Sequence, residues 1–255
     1  MKNLFITILV LYFTIINAQQ KTAYQPGEFF LFNVSYGFIN AGKATLELSE
    51  SRLNDKKVFF AKGYGYTTGL SKMFFKVEDH YHSYFDKNSG EPYQSVRDIY
   101  EGGYEKKQHT YFDNTKNTAV LKDLKKKSEQ VFHVPNQIQD VVSAFYYLRN
   151  HPGIDTIKEG QTLVINMFFD DEVINFKLKF SHREVLKTKV GKVATMVFKP
   201  YVLKGRVFKE SESLTMWVSD DLNKIPLRIK ADLLVGSIKA DLESYKGLKH
   251  PLALR

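Results

Sequence analysis

Gly37, Gly42 and Lys43 in "YGFINAGKATLEL" (Tyr36 to Leu48) stand at the spacing of a phosphate-cradling loop. In such a loop backbone N–H groups and the lysine hold a nucleotide's phosphates. The chemistry also needs Ser or Thr directly after the lysine to hold magnesium, and a helix whose N-terminus faces the phosphates. Here Ala44 follows Lys43 and "ATLEL" alternates as a strand does, so the sequence predicts a β-turn from Gly37 to Gly42 between two strands. "GYGYTTG", Gly63 to Gly69, has the glycines of a dinucleotide fingerprint. The "KMFFKVEDHYHSYFD" that follows has strand character, and no helix is expected there to present its N-terminus.

Two polar clusters could do other chemistry. In "EDHYH" a strand would place Glu78, His80 and His82 on one face, with successive members about 6.6 Å apart. Two imidazoles so placed can converge on zinc, with the glutamate as third ligand of an open mononuclear site. A solvated polar stripe is the alternative reading. In "FFDDE", Phe168 to Glu172, paired carboxylates could serve acid and base work on a glycan, or simply decorate a hairpin tip. No G-x-S-x-G elbow occurs and the histidines are scattered, so hydrolysis has no visible machinery and no cofactor is expected.

The elements that must position such residues are mostly strands. Period-two alternation recurs almost everywhere after residue 27, as in "INFKLKF", where Ile174, Phe176, Leu178 and Phe180 face one way and Asn175, Lys177 and Lys179 the other. One segment departs from it: "PNQIQDVVSAFYYLRNHPG" spaces Ile138, Val141, Val142, Phe145 and Leu148 helically. It predicts one amphipathic helix from Gln137 to Asn150, capped by Asn136 with Gln139 three residues on, its apolar stripe covering the open face of a sheet. "PGEFFLFNVSY" aligns with "EGQTLVINMFF", and Asp86, Pro92, Asp98 and Gly102 align with Asp220, Pro226, Asp232 and Gly236. Phe74 and Glu78 align with Phe208 and Glu212 in the same series. Two similar halves, 26–112 and 159–246, are therefore expected, joined over 113–158 by Lys-rich "KDLKKKSEQ" and the helix. The expected fold is mainly β: an antiparallel barrel-like or half-barrel sheet of about 12 to 14 strands with one helix.

The N-terminus "MKNLFITILVLYFTIINAQQ" has Lys2, an apolar run from Leu4 to Ile16 and small Ala18, the pattern of a signal peptide over residues 1–18. The run is too short to span a bilayer, and no transmembrane anchor is expected. The chain has no cysteine, which excludes disulfides, thiol nucleophiles, thiolate metal sites and a lipid-bearing cysteine. An exported, periplasmic protein that is not a lipoprotein follows, with residues 19–255 as one β-rich domain. The net charge of +9 favours anionic partners. The expected partners are a lipid or acyl ligand, an envelope protein or an anionic glycan, rather than nucleic acid.

Aromatic residues on strands are core by default, but Tyr36, Tyr64, Tyr66, Phe74 and Trp217 are candidates to line an apolar cavity inside a curved sheet. Trp217 belongs either to a second apolar layer or to a cavity mouth.

"PGEFFLFNVSYGFINAGKATLEL", "FFKVEDHYHSYFD", "EPYQSVRDIYEGGY", "VPNQIQDVVSAFYYLR" and "GRVFKESESLTMWVSDDLNKIPLRIKADLLVGSIKADLESYKG" together resemble the exported bacterial proteins grouped as domain of unknown function 3108. The resemblance covers nearly the whole chain after residue 25. It implies an envelope location and β architecture, with no activity and no catalytic residues to carry over. The Asp86-to-Pro92 and Asp220-to-Pro226 hairpins are also similar to those of periplasmic lipoprotein carriers of the outer-membrane localisation system. In those carriers helices close a half-open barrel around an acyl site. The reading is thus a non-enzymatic protein that binds a lipid-like ligand or acts in envelope assembly. The alternatives are a metal- or carboxylate-dependent enzyme on envelope glycan, tested at His80 and Asp171, and a scaffold that binds an outer-membrane protein through exposed sheet edges.

Overall fold

Alternating residues fold as strands in nearly every place the sequence predicts them. The computed structural model describes residues 22–201 and 214–255; residues 1–18, expected to be a signal peptide, and Phe208 and Glu212 lie outside the described residues. The elements are β1 (Phe29–Tyr36), β2 (Ile39–Leu53), β3 (Lys56–Thr67), α1 (Gly69–Phe74), β4 (Val77–Asp86), β5 (Pro92–Glu101), β6 (Tyr104–Asp113), β7 (Thr118–Asp123), β8 (Ser128–His133) and α2 (Val141–Arg149). They continue with β9 (Thr162–Phe169), β10 (Glu172–Thr188), β11 (Gly191–Tyr201), β12 (Leu214–Ser219), β13 (Pro226–Asp232) and β14 (Ser237–Lys246).

All fourteen strands belong to one antiparallel sheet that runs from β8 back to β1, across the β1–β14 pair, and on to β9. The two sequence halves hold β1–β6 and β9–β14. They form a continuous sheet rather than two packed ones. Local details recur between them. Gly27 and Gly160, both at positive φ, donate N–H bonds to the carbonyls of Leu48 and Phe180. The β4–β5 and β12–β13 pairs each carry a register shift that sets Phe85 opposite Pro92 and Val218 opposite Pro226.

The sheet curls until its two edges approach without pairing. Gln139 covers the edge of β9 by a parallel bridge to Met167, its N–H donating to the Asn166 carbonyl at 2.8 Å. Phe168 at the end of β9 packs against Phe112 of β6 and Phe132 of β8. Hydrophobic contact therefore does at the seam what hydrogen bonds do elsewhere in the sheet.

Inside the curl lies α2. Val142 and Tyr146 pack on Leu48, Phe59, Ala61 and Phe85, while Ala144 and Leu148 pack on the β9–β12 side. A helix wrapped by the sheet has more than one apolar face, so the single stripe predicted from spacing is too narrow. The expected start at Gln137 is also wrong. Gln137 sits at φ 57° and residue 139 is committed to β9, so the helix begins after Asp140. The Asp140 carboxylate accepts the Val142 and Ser143 N–H groups, and Ser143 Oγ accepts the Asp140 N–H in a capping box.

Two further corrections concern connections. The stretch after Gly69, predicted as strand, forms the short helix α1, because the chain must cross between Tyr66 and Glu78, the last paired residues of β3 and β4. Gly69 at φ 55° starts that crossing. The Lys-rich linker is a hairpin between β7 and β8, its turn held by Asp123 Oδ1, which accepts the N–H groups of Lys125 and Lys126.

One end of the barrel is tied shut. The Arg149 guanidinium is buried and forms a two-pronged pair with Glu28, at 2.7 and 2.8 Å. It also donates to the carbonyls of Asn223 (2.7 Å) and Ala23 (3.0 Å). The rings of Tyr24, Phe30, Phe145 and Tyr146 surround it. One side chain at the end of α2 thus joins the N-terminal segment, β1 and the β12–β13 loop.

Candidate functional site

Burial of the inward-facing residues changes along the barrel. In β1 Phe30 and Phe32 are buried and Val34 is partly exposed; in β2 Leu48 is buried while Leu46 and Ala44 are partly exposed. On the other half, buried Leu178 gives way to partly exposed Phe176 in β10, and buried Leu242 to Ala240 in β14. The buried end surrounds α2. The opposite end, where the β1–β2, β3–β4 and β13–β14 connections lie, is an open mouth with an apolar wall.

Registry explains part of that opening. Ala44, Gly65 and Asp79 are neighbours across β2, β3 and β4, with Gly63 beside them opposite Leu46 and Tyr81. Small residues here line the wall where larger ones would fill it. A Cβ built on Gly65 would meet no atom within 4 Å, whereas one on Gly63 would lie 3.2 Å from the Tyr81 carbonyl.

The floor of the mouth is polar on one side. A small cleft, with room for about one water molecule, lies between the start of α2 and β4–β6, lined by Tyr81, Arg97, Gln108, Asp140 and Phe169 among others. Arg97 donates to Asp170 at 2.6 Å, and Lys106 pairs with the same carboxylate oxygen. The Arg97 guanidinium lies 4.2 Å from the Phe169 ring centroid, and its Nε has no hydrogen-bond partner among the described residues. Burial pushes the Asp170 carboxyl up, but the bonds from Lys106 and Arg97 outweigh it and hold it below the ordinary carboxylate range. Nearer the rim Asp79 is pushed up to about 6, by burial first and then by the neighbouring Glu101 carboxylate. Two cations sharing one carboxylate can exchange it for another anion, and the apolar wall opposite can take a hydrocarbon.

The sequence-predicted residues are distributed differently. Tyr64 and Tyr66 stack on each other (4.8 Å) on the outer face of β3, with His80 against Tyr64 (4.5 Å). Tyr36 is at the rim and donates its hydroxyl to the Val235 carbonyl at 2.7 Å. Phe74 is on α1, 88% exposed. Trp217 belongs to a second apolar layer with Leu186, Val193, Leu248 and Leu252, its indole N–H donating to Glu184 at 2.5 Å. The five are not brought together, and none faces the open wall. Glu78, His80 and His82 do share the outer face of β4, but Glu78 pairs with Lys76 at 2.8 Å and the two imidazole centroids are 6.0 Å apart, edge to face. Burial, then the charge of His80, lowers the pKa of His82. Among the described residues no three His, Asp or Glu side chains are grouped to hold a metal ion. Asp171 is exposed at the β9–β10 turn beside Asp170. Sequence reasoning missed Arg97, Lys106 and Gly65, since single charges and glycines on strands carry no signal until the strands are aligned.

Gly42 and Lys43 lie within β2, and the turn is confined to Gly37 and Phe38. A Cβ on Gly42 would stand 2.3 Å from the Tyr66 carbonyl, so its glycine serves close strand approach. Gly63 and Gly65 likewise lie inside β3 rather than in a phosphate-binding turn.

Comparison with known proteins gives fold and family. The profile of the family described as "Protein of unknown function (DUF3108)" matches residues 31–243. A crystal structure of a β-barrel-like protein of domain of unknown function DUF1849 from Brucella abortus is 9% identical, with 89% of this chain and 99% of that chain covered and a TM-score of 0.60. It shares the fold. A hypothetical protein from Chlamydia trachomatis (9% identity, 91% and 92% covered, TM-score 0.41) and a DUF1089 family protein from Pseudomonas aeruginosa (13%, 82% and 92%, 0.38) are looser likenesses. No curated protein matches the chain. Among the described residues no helix is long and apolar enough to cross a membrane.

Proposed function

Because the chain belongs to the DUF3108 family of proteins of unknown function, which brings no activity with it, we propose a function from the site itself: the open end of the barrel binds an amphiphile. The hydrocarbon part lies along the wall of Val34, Ala44, Gly65 and Ala240, and the anionic head meets Arg97 and Lys106. The observation that carries this reading is the change from buried to partly exposed apolar residues along the same face of successive strands. A barrel filled for its own stability would continue its large side chains to the rim. This one replaces them by Ala44, Gly63 and Gly65 on adjoining strands. Such a site is concave, mostly apolar and served by a few placed polar groups, as small-molecule sites are.

The protein is a carrier or binding module in this reading, with no bond made or broken. Export to the periplasm, expected from residues 1–18, is part of the proposal and would set the barrel among envelope lipids. Titration with a naturally fluorescent fatty acid tests it. Saturable binding that is weakened by Arg97→Gln supports the reading, and a chain that neither binds the probe nor carries lipid in native mass spectra refutes it.

A further inference from the structure

The rim of the open end carries large apolar side chains that no described residue covers. Phe38 at the β1–β2 turn is 107% exposed, Leu234 at the β13–β14 turn 92%, and Met73 and Phe74 of α1 80% and 88%. These tips are one connected surface. Gly37 N–H donates to the Ser237 carbonyl (2.9 Å), Thr68 N–H to the Ala41 carbonyl (3.1 Å), and Gly102 N–H to the Lys76 carbonyl (2.8 Å). Patches of this kind on a soluble surface mark an interaction site.

We propose that this rim docks on an anionic lipid bilayer, the apolar tips entering the headgroup and upper acyl region. Three observations select a bilayer over a protein partner. The tips, residues 37–41, 68–76 and 233–236, contain no carboxylate and two lysines, Lys72, which is exposed, and Lys76, which also pairs with Glu78; with Glu101 exposed at the adjoining β5–β6 turn, it is Lys72 on α1 that complements anionic headgroups. They project as small groups from separate tips, Phe38 with Ile39, Leu70 with Met73, Phe74 and Phe75, and Leu234 with Val235, rather than forming a flat face with a polar border, the form that protein interfaces take. Directly behind them stands a band of tyrosines, Tyr36, Tyr66, Tyr100 and Tyr104, with the Lys76 ammonium 5.0 Å from the Tyr100 ring centroid. Tyrosine at the depth where apolar side chains give way to charged ones is the arrangement found at membrane–water interfaces.

Docking in this orientation turns the mouth of the barrel towards the bilayer, so the inference deepens the proposed function and rests on it for its purpose. Its test stands apart from that reading. Flotation of the full chain, without its first 18 residues, is measured with vesicles of equal parts phosphatidylglycerol and phosphatidylcholine and with phosphatidylcholine alone. The expected result is flotation that depends on phosphatidylglycerol, weakens with salt, and falls at least about tenfold in Phe38→Asp/Leu234→Asp. The same double variant should bind the soluble fatty-acid probe as the wild type does. Gly65→Leu should lose the probe and keep flotation. Equal flotation of wild type and double variant would overturn the docking proposal, as would no flotation with either vesicle. A concentration-dependent dimer abolished by the same substitutions, without flotation, would assign the rim to a second copy of the chain instead.

Discussion

Gly65→Leu isolates the open wall from the rest of the protein. Gly65 lies in β3 between Ala44 and Asp79, and a side chain there meets no atom at its first carbon. Leucine adds four carbons to the lumen. Each methylene of a bound hydrocarbon that it displaces removes about 0.8 kcal/mol, so the full side chain should cost about 3 kcal/mol of binding. That corresponds to about a hundredfold rise in Kd. Gly65→Ala adds one carbon and should cost about fourfold. Glycine is a poor strand residue, so both variants should be as stable as the wild type or more stable by up to about 1 kcal/mol. Fluorescence titration with the fatty-acid probe measures Kd, and urea unfolding measures stability on the same samples. A leucine variant that folds and binds like the wild type would refute the placement of the ligand in this mouth. A graded loss with unchanged unfolding midpoints is what the geometry requires.

Arg149→Met leaves Glu28 buried without its partner and should cost about 3 to 5 kcal/mol, read as a lowered urea midpoint; a loss below about 1 kcal/mol would contradict the tie between α2 and the N-terminal segment. Asp140→Ala removes both side-chain bonds to the first turn of α2 and should lower stability by about 1 to 2 kcal/mol, measured by thermal unfolding. Asp79 holds its proton more tightly folded than unfolded, so stability should fall as pH rises from about 4 to about 6. Because that side chain is only partly buried and solvent screens its charge, the effect should be about 1 kcal/mol, and Asp79→Asn should flatten that part of a pH–stability curve. Arg97→Gln should weaken binding of a fatty acid about tenfold while leaving a long-chain alcohol probe unaffected, which separates the head contact from the wall.

Much of the fold was legible. Strand alternation in "INFKLKF" and its neighbours, the turn at Gly37, and the existence of a helix near Val142 all follow from local periodicity and turn chemistry. The recurrence of Gly27 at Gly160 also pointed to paired turns, and both glycines have positive φ, whereas Pro92 and Pro226 follow connections that differ by one residue in register. What failed locally failed for tertiary reasons. The start of α2 moved to Asp140 because Gln139 pairs with the edge of β9, a contact to Met167 that no pattern around Gln139 announces. The segment at Met73 became helix because two strand ends had to be bridged across the rim.

The candidate site was hardly legible. Tyr64, Tyr66 and His80 have the composition of a binding surface but lie on the outer face, while Gly65 between the two tyrosines faces the lumen. Alternation therefore told the two faces apart, and it could not tell which face would enclose space. The sequence by itself determined an antiparallel sheet with one apolar side, since side-chain direction in a strand has a period of two whatever the strand packs against. Only the tertiary structure decided that α2 fills one end of the curl and leaves the other open. That depends on where Arg149 meets Glu28, 121 residues away, and on how the register sets Ala44, Gly65 and Asp79 side by side. Contacts between distant segments are set by the curvature of the whole sheet, which no short stretch encodes.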